Sequence, residues 1–104
     1  MRAKKKFGQN FLVDRYFISK IIKEINLKEG NNILEIGPGK GAITEPVLKK
    51  INHISVVEID PDMIKILKHK ITPEKISILA EDVLGINDEF FKKFNKIIGN
   101  LPYY

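Results

Sequence analysis

The sequence predicts an α/β fold in which helices cover both faces of a parallel sheet. Short segments rich in β-branched residues alternate with segments whose apolar residues recur at helical spacing. A glycine-rich loop follows the first β-branched segment and precedes a helical one. Such alternation implies right-handed crossovers between parallel strands. With 104 residues, the chain has room for one small domain.

Each element has a local signal. Apolar residues at helical spacing predict a first helix over residues 14–25, with Asp14 as its N-cap, and a turn follows at 28–31. Asp60 and Pro61 together predict a helix start, because a side-chain cap precedes Pro at the first helical position. The remaining elements are strands at 32–36, 53–59, 76–80 and 96–100, and helices at about 42–50, from Asp60 to near Lys70, and around 88–94.

The net charge of +5 is concentrated at the start of the chain. Arg2, Lys4, Lys5 and Lys6 form a basic arm, while the remainder carries nearly equal numbers of basic and acidic side chains. Such an arm suits contact with phosphates, but from the arm alone a solvated terminus is the favoured interpretation, because basic N-termini are common.

Several classes of protein are disfavoured by composition. Cys is absent and the two His residues lie far apart, so neither a disulfide framework nor a metal site is expected. No apolar run follows the basic arm, which argues against a signal peptide, and no stretch approaches the length of a membrane span. We therefore expect a soluble, cytoplasmic monomer without membrane contact.

Residues 35–41 have the pattern E-x-G-x-G-x-G. Glycines allow backbone angles that a Cβ forbids, and the N-terminus of the next helix offers N–H groups and positive potential. A dinucleotide fingerprint would place its third glycine at position 42, which is Ala42. The loop instead resembles motif I of the Rossmann-like methyltransferases, where it packs against the methionine part of S-adenosylmethionine. A tight turn without a ligand is the alternative.

Carboxylates follow the second and third predicted strands. Glu58, 21 residues beyond Gly37, can accept hydrogen bonds from both ribose hydroxyls of an adenosyl cofactor. Nicotinamide cofactors would use such a group equally well, and Asp60 is assigned to helix capping. Asp82 can accept from the adenine amine, with Glu81 as its competitor at the same strand end.

The tetrapeptide Asn100-Leu101-Pro102-Tyr103 follows the fourth predicted strand. The Asn100 side chain and the Leu101 carbonyl could hold the hydrogens of an adenine amine and draw its nitrogen toward tetrahedral geometry. Pro102 restricts Leu101 to extended conformations, and Tyr103 offers a face on which a base can stack. Positioning of the amine would be the main catalytic contribution. A structural turn is the alternative.

With these motifs, the chain resembles the KsgA family of ribosomal RNA small-subunit adenine N6,N6-dimethyltransferases. The matching segments are 7–12 (FGQNFL), 34–46 (LEIGPGKGAITEP), 57–60 (VEID), Asp82 and 100–103 (NLPY). The resemblance implies cofactor contacts from Asn10, Leu12, Gly37, Glu58, Asp82 and Asn100. It also implies that Asn100, Leu101 and Tyr103 face the target adenine.

The resemblance further implies a substrate and a domain plan. Family members methylate two adjacent adenosines in the 3′-terminal hairpin of small-subunit (16S) ribosomal RNA, so ribosomal RNA or the immature small subunit is the expected partner, in ribosome biogenesis. Residues 1–13 would form the basic arm and a lid-like segment, and 14–104 the cofactor-binding domain. Because family members continue with further strands and a helical RNA-binding domain, we expect an incomplete sheet, weak cofactor binding at best and no appreciable turnover from residues 1–104.

Other functions fit fewer of these residues. Large-subunit ribosomal RNA methyltransferases of the macrolide-resistance type share the NFL and N-x-P-Y elements and are the nearest alternative, followed by an inactive cofactor-binding fragment. A DNA adenine methyltransferase usually carries an acidic or Pro-Pro version of the tetrapeptide. A nicotinamide dehydrogenase leaves Asp82 and NLPY unexplained, and a simple RNA-binding module leaves the glycine loop unexplained.

Overall fold

A computed structural model describes residues 15–28 and 30–99, and in it four strands form one parallel sheet. The strands are β1 (Ile33–Ile36), β2 (Ile54–Val57), β3 (Ile76–Leu79) and β4 (Lys96–Gly99). Their order across the sheet is β3-β2-β1-β4. The predicted parallel sheet is confirmed, and the strand order reverses beside β1. Ligands of open α/β sheets bind at such a reversal.

The register brings the carboxyl ends of all four strands to one edge. Ile36 is paired with Val57 on β2 and with Gly99 on β4, and Val57 is paired with Leu79 on β3. The segments that follow these four residues therefore leave the sheet side by side. Among the described residues, the candidates Gly37, Glu58 and Asp82 belong to this edge.

The helices are α1 (Arg15–Ile25), α2 (Thr44–Leu48), α3 (Pro61–Lys70) and α4 (Asp88–Phe91), with 3₁₀ turns at Pro73–Lys75 and Val83–Gly85. Two of them are shorter than the sequence predicts. After α2, the N–H groups of Lys49 and Lys50 bond to carbonyls three residues back, and those of Lys93 and Phe94 do the same after α4. Such bonds tighten the chain into 3₁₀ geometry and end the α-helix.

Among the described residues, one of the two predicted N-caps can be checked. The Asp60 carboxylate accepts the N–H of Asp62 at 2.8 Å, which confirms Asp60 as the cap of α3. Asp14, the predicted cap of α1, lies outside the described residues. At the other end of α1, the Lys96 ammonium donates to the carbonyls of Ile25 and Asn26 at 2.7 and 2.9 Å, and it thereby ties this helix to β4.

The core lies against β1 and β2. Ile33, Leu34 and Glu35 are consecutive and all buried, and since neighbouring strand residues point to opposite faces, both faces of β1 are covered. The buried apolar residues include Ile22 from α1, Val47 from α2, Leu67 from α3 and Ile54 and Val56 from β2. No helix within the described part of the chain is long and apolar enough to cross a membrane.

Candidate functional site

The glycine loop leaves β1 and turns into α2 with three left-handed residues. Gly37, Gly39 and Gly41 have φ values of 69°, 58° and 93°. Side chains with a Cβ are disfavoured in this region, so the alternate glycines have a backbone cause. The Gly37 N–H bonds to the Val57 carbonyl at 2.8 Å and extends the sheet into the loop, and the Gly41 N–H bonds to the Pro38 carbonyl at 3.0 Å and closes a turn.

Two of these glycines differ in their surroundings. A Cβ placed on Gly41 would lie 3.3 Å from Cδ2 of Leu67, a fully buried residue of α3, so this glycine allows close packing between loop and helix. A Cβ on Gly39 would meet nothing within 4 Å. The main chain at Gly39 is therefore open to a ligand, as the sequence predicts for this loop.

Glu58 is the carboxylate that the sequence assigns to a ribose. It is 8% exposed and lies directly after β2. Its Oε1 accepts the N–H of Gly39 at 3.1 Å, and its Oε2 accepts the N–H of Asp60 at 3.0 Å. Each carboxylate oxygen can accept two hydrogen bonds, so each retains one acceptor position. The structure thus brings Glu58 and the glycine loop together and fixes the orientation of the carboxylate.

Ile59, between Glu58 and Asp60, was not among the predicted site residues. It is 62% exposed although it is a large apolar side chain at the carboxyl edge of the sheet. Leu84, after β3, is 91% exposed. Exposed apolar residues at a sheet edge can cover the flat face of a base. In the sequence, Ile59 is an apolar residue between two acidic ones at a strand end. The prediction considered the two acidic residues and not the apolar one between them.

Asp82 follows β3 and is exposed. Its Oδ1 accepts the N–H of Leu84 at 3.0 Å and caps the 3₁₀ turn at Val83–Gly85. This contact fixes the side chain at the carboxyl edge and leaves Oδ2 without a hydrogen bond from the described residues. Glu81, the competing acid, is exposed and its side chain has no such anchor. The role of Asp82 toward adenine stays a prediction.

Glu35 is a second carboxylate that the predicted site omitted. It is completely buried in β1, and its Oε1 accepts a hydrogen bond from the hydroxyl of Thr44. Burial raises the pKa of Glu35 to about 7; the Thr44 hydrogen bond opposes the shift, and the charge of Glu58 adds to it. Glu35 is the first residue of the E-x-G-x-G-x-G pattern and could have been considered for that reason, but the sequence does not show whether its side chain faces solvent or the core.

The other predicted site residues lie outside the described part of the chain. They are Asn10, Leu12, Asn100, Leu101, Pro102 and Tyr103. The register still places the strand that leads to the tetrapeptide, because Gly99 is the partner of Ile36, the last residue before the glycine loop. Their predicted contacts stay predictions.

Comparison with known proteins agrees with this geometry. The whole chain, residues 1–104, matches the model of the family described as ribosomal RNA adenine dimethylase. The chain belongs to this family. Ribosomal RNA small subunit methyltransferase A of Mycoplasmopsis pulmonis (strain UAB CTIP) is 47% identical over 105 residues, covering all of this chain and 40% of the relative. The protein of the same name from Dechloromonas aromatica (strain RCB) is 45% identical over 101 residues, covering 97% and 40%.

Solved structures of related methyltransferases share the fold. The 23S ribosomal RNA methyltransferase ErmE is 31% identical with a TM-score of 0.65, over 74% of this chain and 32% of the other. A dimethyladenosine transferase from Plasmodium falciparum is 26% identical with a TM-score of 0.75, over 86% and 33%. The fold is that of the class I methyltransferases, as predicted. The chain spans about 40% of the length of these ribosomal RNA adenine dimethylase relatives.

Proposed function

We propose that this protein transfers methyl groups from S-adenosylmethionine to N6 of adenosines in small-subunit ribosomal RNA. The observation that carries the proposal is the pairing of Glu58 with the glycine loop at the edge where the strand order reverses. Membership of the ribosomal RNA adenine dimethylase family and the names of the relatives support it.

The residues present fit an adenosyl cofactor. Open space above Gly39 allows a ligand to lie against the main chain, and the anchored Glu58 carboxylate retains an acceptor position on each oxygen for two ribose hydroxyls. Ile59 would cover a face of the adenine ring, and the free Oδ2 of Asp82 would accept from its amine. When bound, S-adenosylmethionine supplies an electrophilic methyl group on a sulfonium sulfur.

The chain's contribution to methyl transfer is to place the target amine. The Asn100 side chain and the Leu101 carbonyl would accept the two N6 hydrogens, so that the nitrogen lone pair is freed from the ring and faces the methyl group. Tyr103 would stack on the target base, which is worth about 1–3 kcal/mol in nucleic-acid complexes. N6 would take the methyl group as the bond from that carbon to the sulfonium sulfur breaks, with S-adenosylhomocysteine as the leaving group. N6 would then release a proton to solvent, so no side chain with a shifted pKa is required at this step.

The finer substrate assignment follows the relatives. We propose two adjacent adenosines in the 3′-terminal hairpin, since loop adenosines are partly unstacked and cost less to extrude. The second candidate is large-subunit RNA, favoured by the 31% identity to ErmE. The higher identities to small-subunit methyltransferases, 45% and 47%, favour the first.

Isothermal titration calorimetry tests the proposed class of enzyme. The chain is titrated separately with S-adenosylhomocysteine, NAD and an RNA hairpin. We expect S-adenosylhomocysteine to bind and NAD not to bind. Binding of NAD alone would refute the methyltransferase proposal, and salt-dependent RNA binding without affinity for either cofactor would favour a simple RNA-binding module.

A further inference from the structure

Glu35 occupies an unusual place for a carboxylate. It lies in the middle of the sheet, where its register partners are Val56 on β2 and Ile98 on β4, and none of its surface is exposed. Burying a polar group without full hydrogen bonding is costly, so such a group persists where its contacts serve a purpose. The mechanism proposed above does not use Glu35.

The contact that Glu35 makes spans the glycine loop. Its Oε1 accepts from the hydroxyl of Thr44, the first residue of α2, which is also completely buried. Residue Ile43, at the N-cap position of α2, makes no side-chain capping hydrogen bond. The Thr44 hydroxyl is thus turned inward to β1, and this contact fixes the start of α2 relative to the strand on the other side of the loop.

A second carboxylate contacts the same loop. Oε1 of Glu58 accepts the N–H of Gly39 at 3.1 Å, in the middle of the loop, while Glu35 holds Thr44, at the start of the helix that follows the loop. We propose that Glu35 is a positioning residue for cofactor binding, which acts through Thr44 to set where the glycine loop presents its main chain. This inference rests on the proposed function, because it assumes that the loop binds the cofactor.

The ionisation of Glu35 provides a readout that a purely structural contact would not give. Among the described residues, Oε2 of Glu35 is the buried side-chain atom without a hydrogen-bond partner. Thr44 of α2 and Glu58 after β2 act on the carboxyl group, whereas Val56 and Ile98 carry no charge. Because burial and the charge of Glu58 raise the pKa of Glu35 to about 7, a rise in pH through this value ionises Glu35 and strengthens the hydrogen bond that it accepts from Thr44.

Calorimetry with S-adenosylhomocysteine on the chain and its variants tests the inference. Thr44→Val should raise the Kd by up to about tenfold, because the net free energy of the hydrogen bond that it removes limits the effect on the ligand. Thr44→Ser, which keeps the hydroxyl, should retain most of the affinity. The control is Ile33→Val, at the far end of β1, which lowers stability without touching the loop. Ile33→Val should lower the melting temperature about as much as Thr44→Val does, and it should leave the Kd unchanged.

The dependence of the Kd on pH is the second measurement. It tests the inference even if the Thr44→Val variant does not fold. Between pH 6 and 8 the Kd of the unmodified chain should fall, because the ionised Glu35 holds the Thr44 hydroxyl more strongly. Glu35→Gln, which keeps an acceptor for Thr44 but cannot ionise, should remove that dependence. Two results would overturn the inference and leave the proposed function standing. The first is that a folded Thr44→Val variant binds S-adenosylhomocysteine with the Kd of the unmodified chain. The second is that the Kd of the unmodified chain does not depend on pH. If neither the unmodified chain nor a chimera in which it replaces the N-terminal segment of the Mycoplasmopsis pulmonis relative binds, both are overturned.

Discussion

The backbone N–H of Gly39 donates to Oε1 of Glu58 at 3.1 Å, a contact between residues 19 positions apart that joins the loop after β1 to the end of β2. The N–H of Asp60 holds the other oxygen at 3.0 Å. A carboxylate held at both oxygens does not have to be ordered when a ligand arrives, so less conformational entropy is lost on binding. If this is the cofactor site, as we propose, it is formed before the cofactor binds.

Glu58→Gln should weaken cofactor binding strongly. Gln carries one acceptor oxygen, and in either orientation its NH₂ group faces a backbone N–H that Glu58 now satisfies. We expect the Kd for S-adenosylhomocysteine to rise about 10- to 100-fold, as for the loss of hydrogen bonds to a charged group. Glu74→Gln, an exposed carboxylate in the 3₁₀ turn before β3, is the matched control. Equal affinities in the two variants would contradict the role of Glu58.

Asp82 and Glu81 can be separated by changing the base of the ligand. If Asp82 accepts from the adenine amine, Asp82→Ala should lower the affinity for S-adenosylhomocysteine about tenfold, and Glu81→Ala should not. S-inosylhomocysteine has an acceptor where adenine has the amine, so it should bind weakly to the unmodified chain. Asp82→Asn keeps a capping oxygen and adds a donor, and it should recover binding of the inosine ligand. The reverse ranking of Asp82 and Glu81 would move the role to Glu81.

Gly41→Ala should lower the free energy of unfolding more than Gly30→Ala. The two glycines have similar φ values, 93° and 88°, so the backbone strain of about 1–2 kcal/mol is shared. A Cβ on Gly41 would also lie 3.3 Å from buried Leu67, while one on Gly30 would meet nothing within 4 Å. Overpacking should add about 1 kcal/mol at Gly41, measured by chemical denaturation. Equal losses would show that the loop and α3 are not closely packed.

Glu35 should make stability depend on pH. Its pKa is raised from 4.5 to about 7 in the folded state, so between these values the folded chain holds a proton that the unfolded chain has released. The free energy of unfolding should therefore fall as pH rises from about 4.5 to 7, by roughly 3 kcal/mol, and the Glu35 contribution is lost above that range. Urea denaturation across this pH range measures the free energy of unfolding of the unmodified chain and of Glu35→Gln. The difference between the two curves isolates Glu35, because all other groups titrate in both proteins. Parallel stability curves would contradict the raised pKa.

Much of the fold follows from local signals in the sequence. The parallel sheet, the left-handed glycines and the Asp60 cap each depend on short patterns with a direct physical cause, and all are found. The ends of α2 and α4 were predicted too late in the chain. Apolar spacing continues past Leu48 and Phe91, whereas the backbone tightens into three-residue hydrogen bonds there.

The site was predicted less completely than the fold. Glu58 was predicted because its distance from the glycine loop is characteristic. The structure adds the two N–H groups that hold it, and its contact with a ribose stays a prediction. Glu35 and Ile59 were not predicted because the roles that we propose for them depend on burial: one is an acid that is fully buried, and the other is an apolar residue that is largely exposed. Strand direction and packing decide both, and neither can be read from residue type alone.

The most direct test of the proposed function is methyl transfer by a chimera. Residues 1–104 would replace the matching N-terminal segment of the Mycoplasmopsis pulmonis relative, which is 47% identical and covers the whole chain. Purified chimera, labelled S-adenosylmethionine and unmethylated small ribosomal subunits would be incubated, and the digested RNA analysed by mass spectrometry. We expect N6,N6-dimethyladenosine in small-subunit RNA and its loss in the Asn100→Ala chimera. A folded chimera that binds S-adenosylhomocysteine but methylates only large-subunit RNA, or none while the parent relative is active, would contradict the proposal.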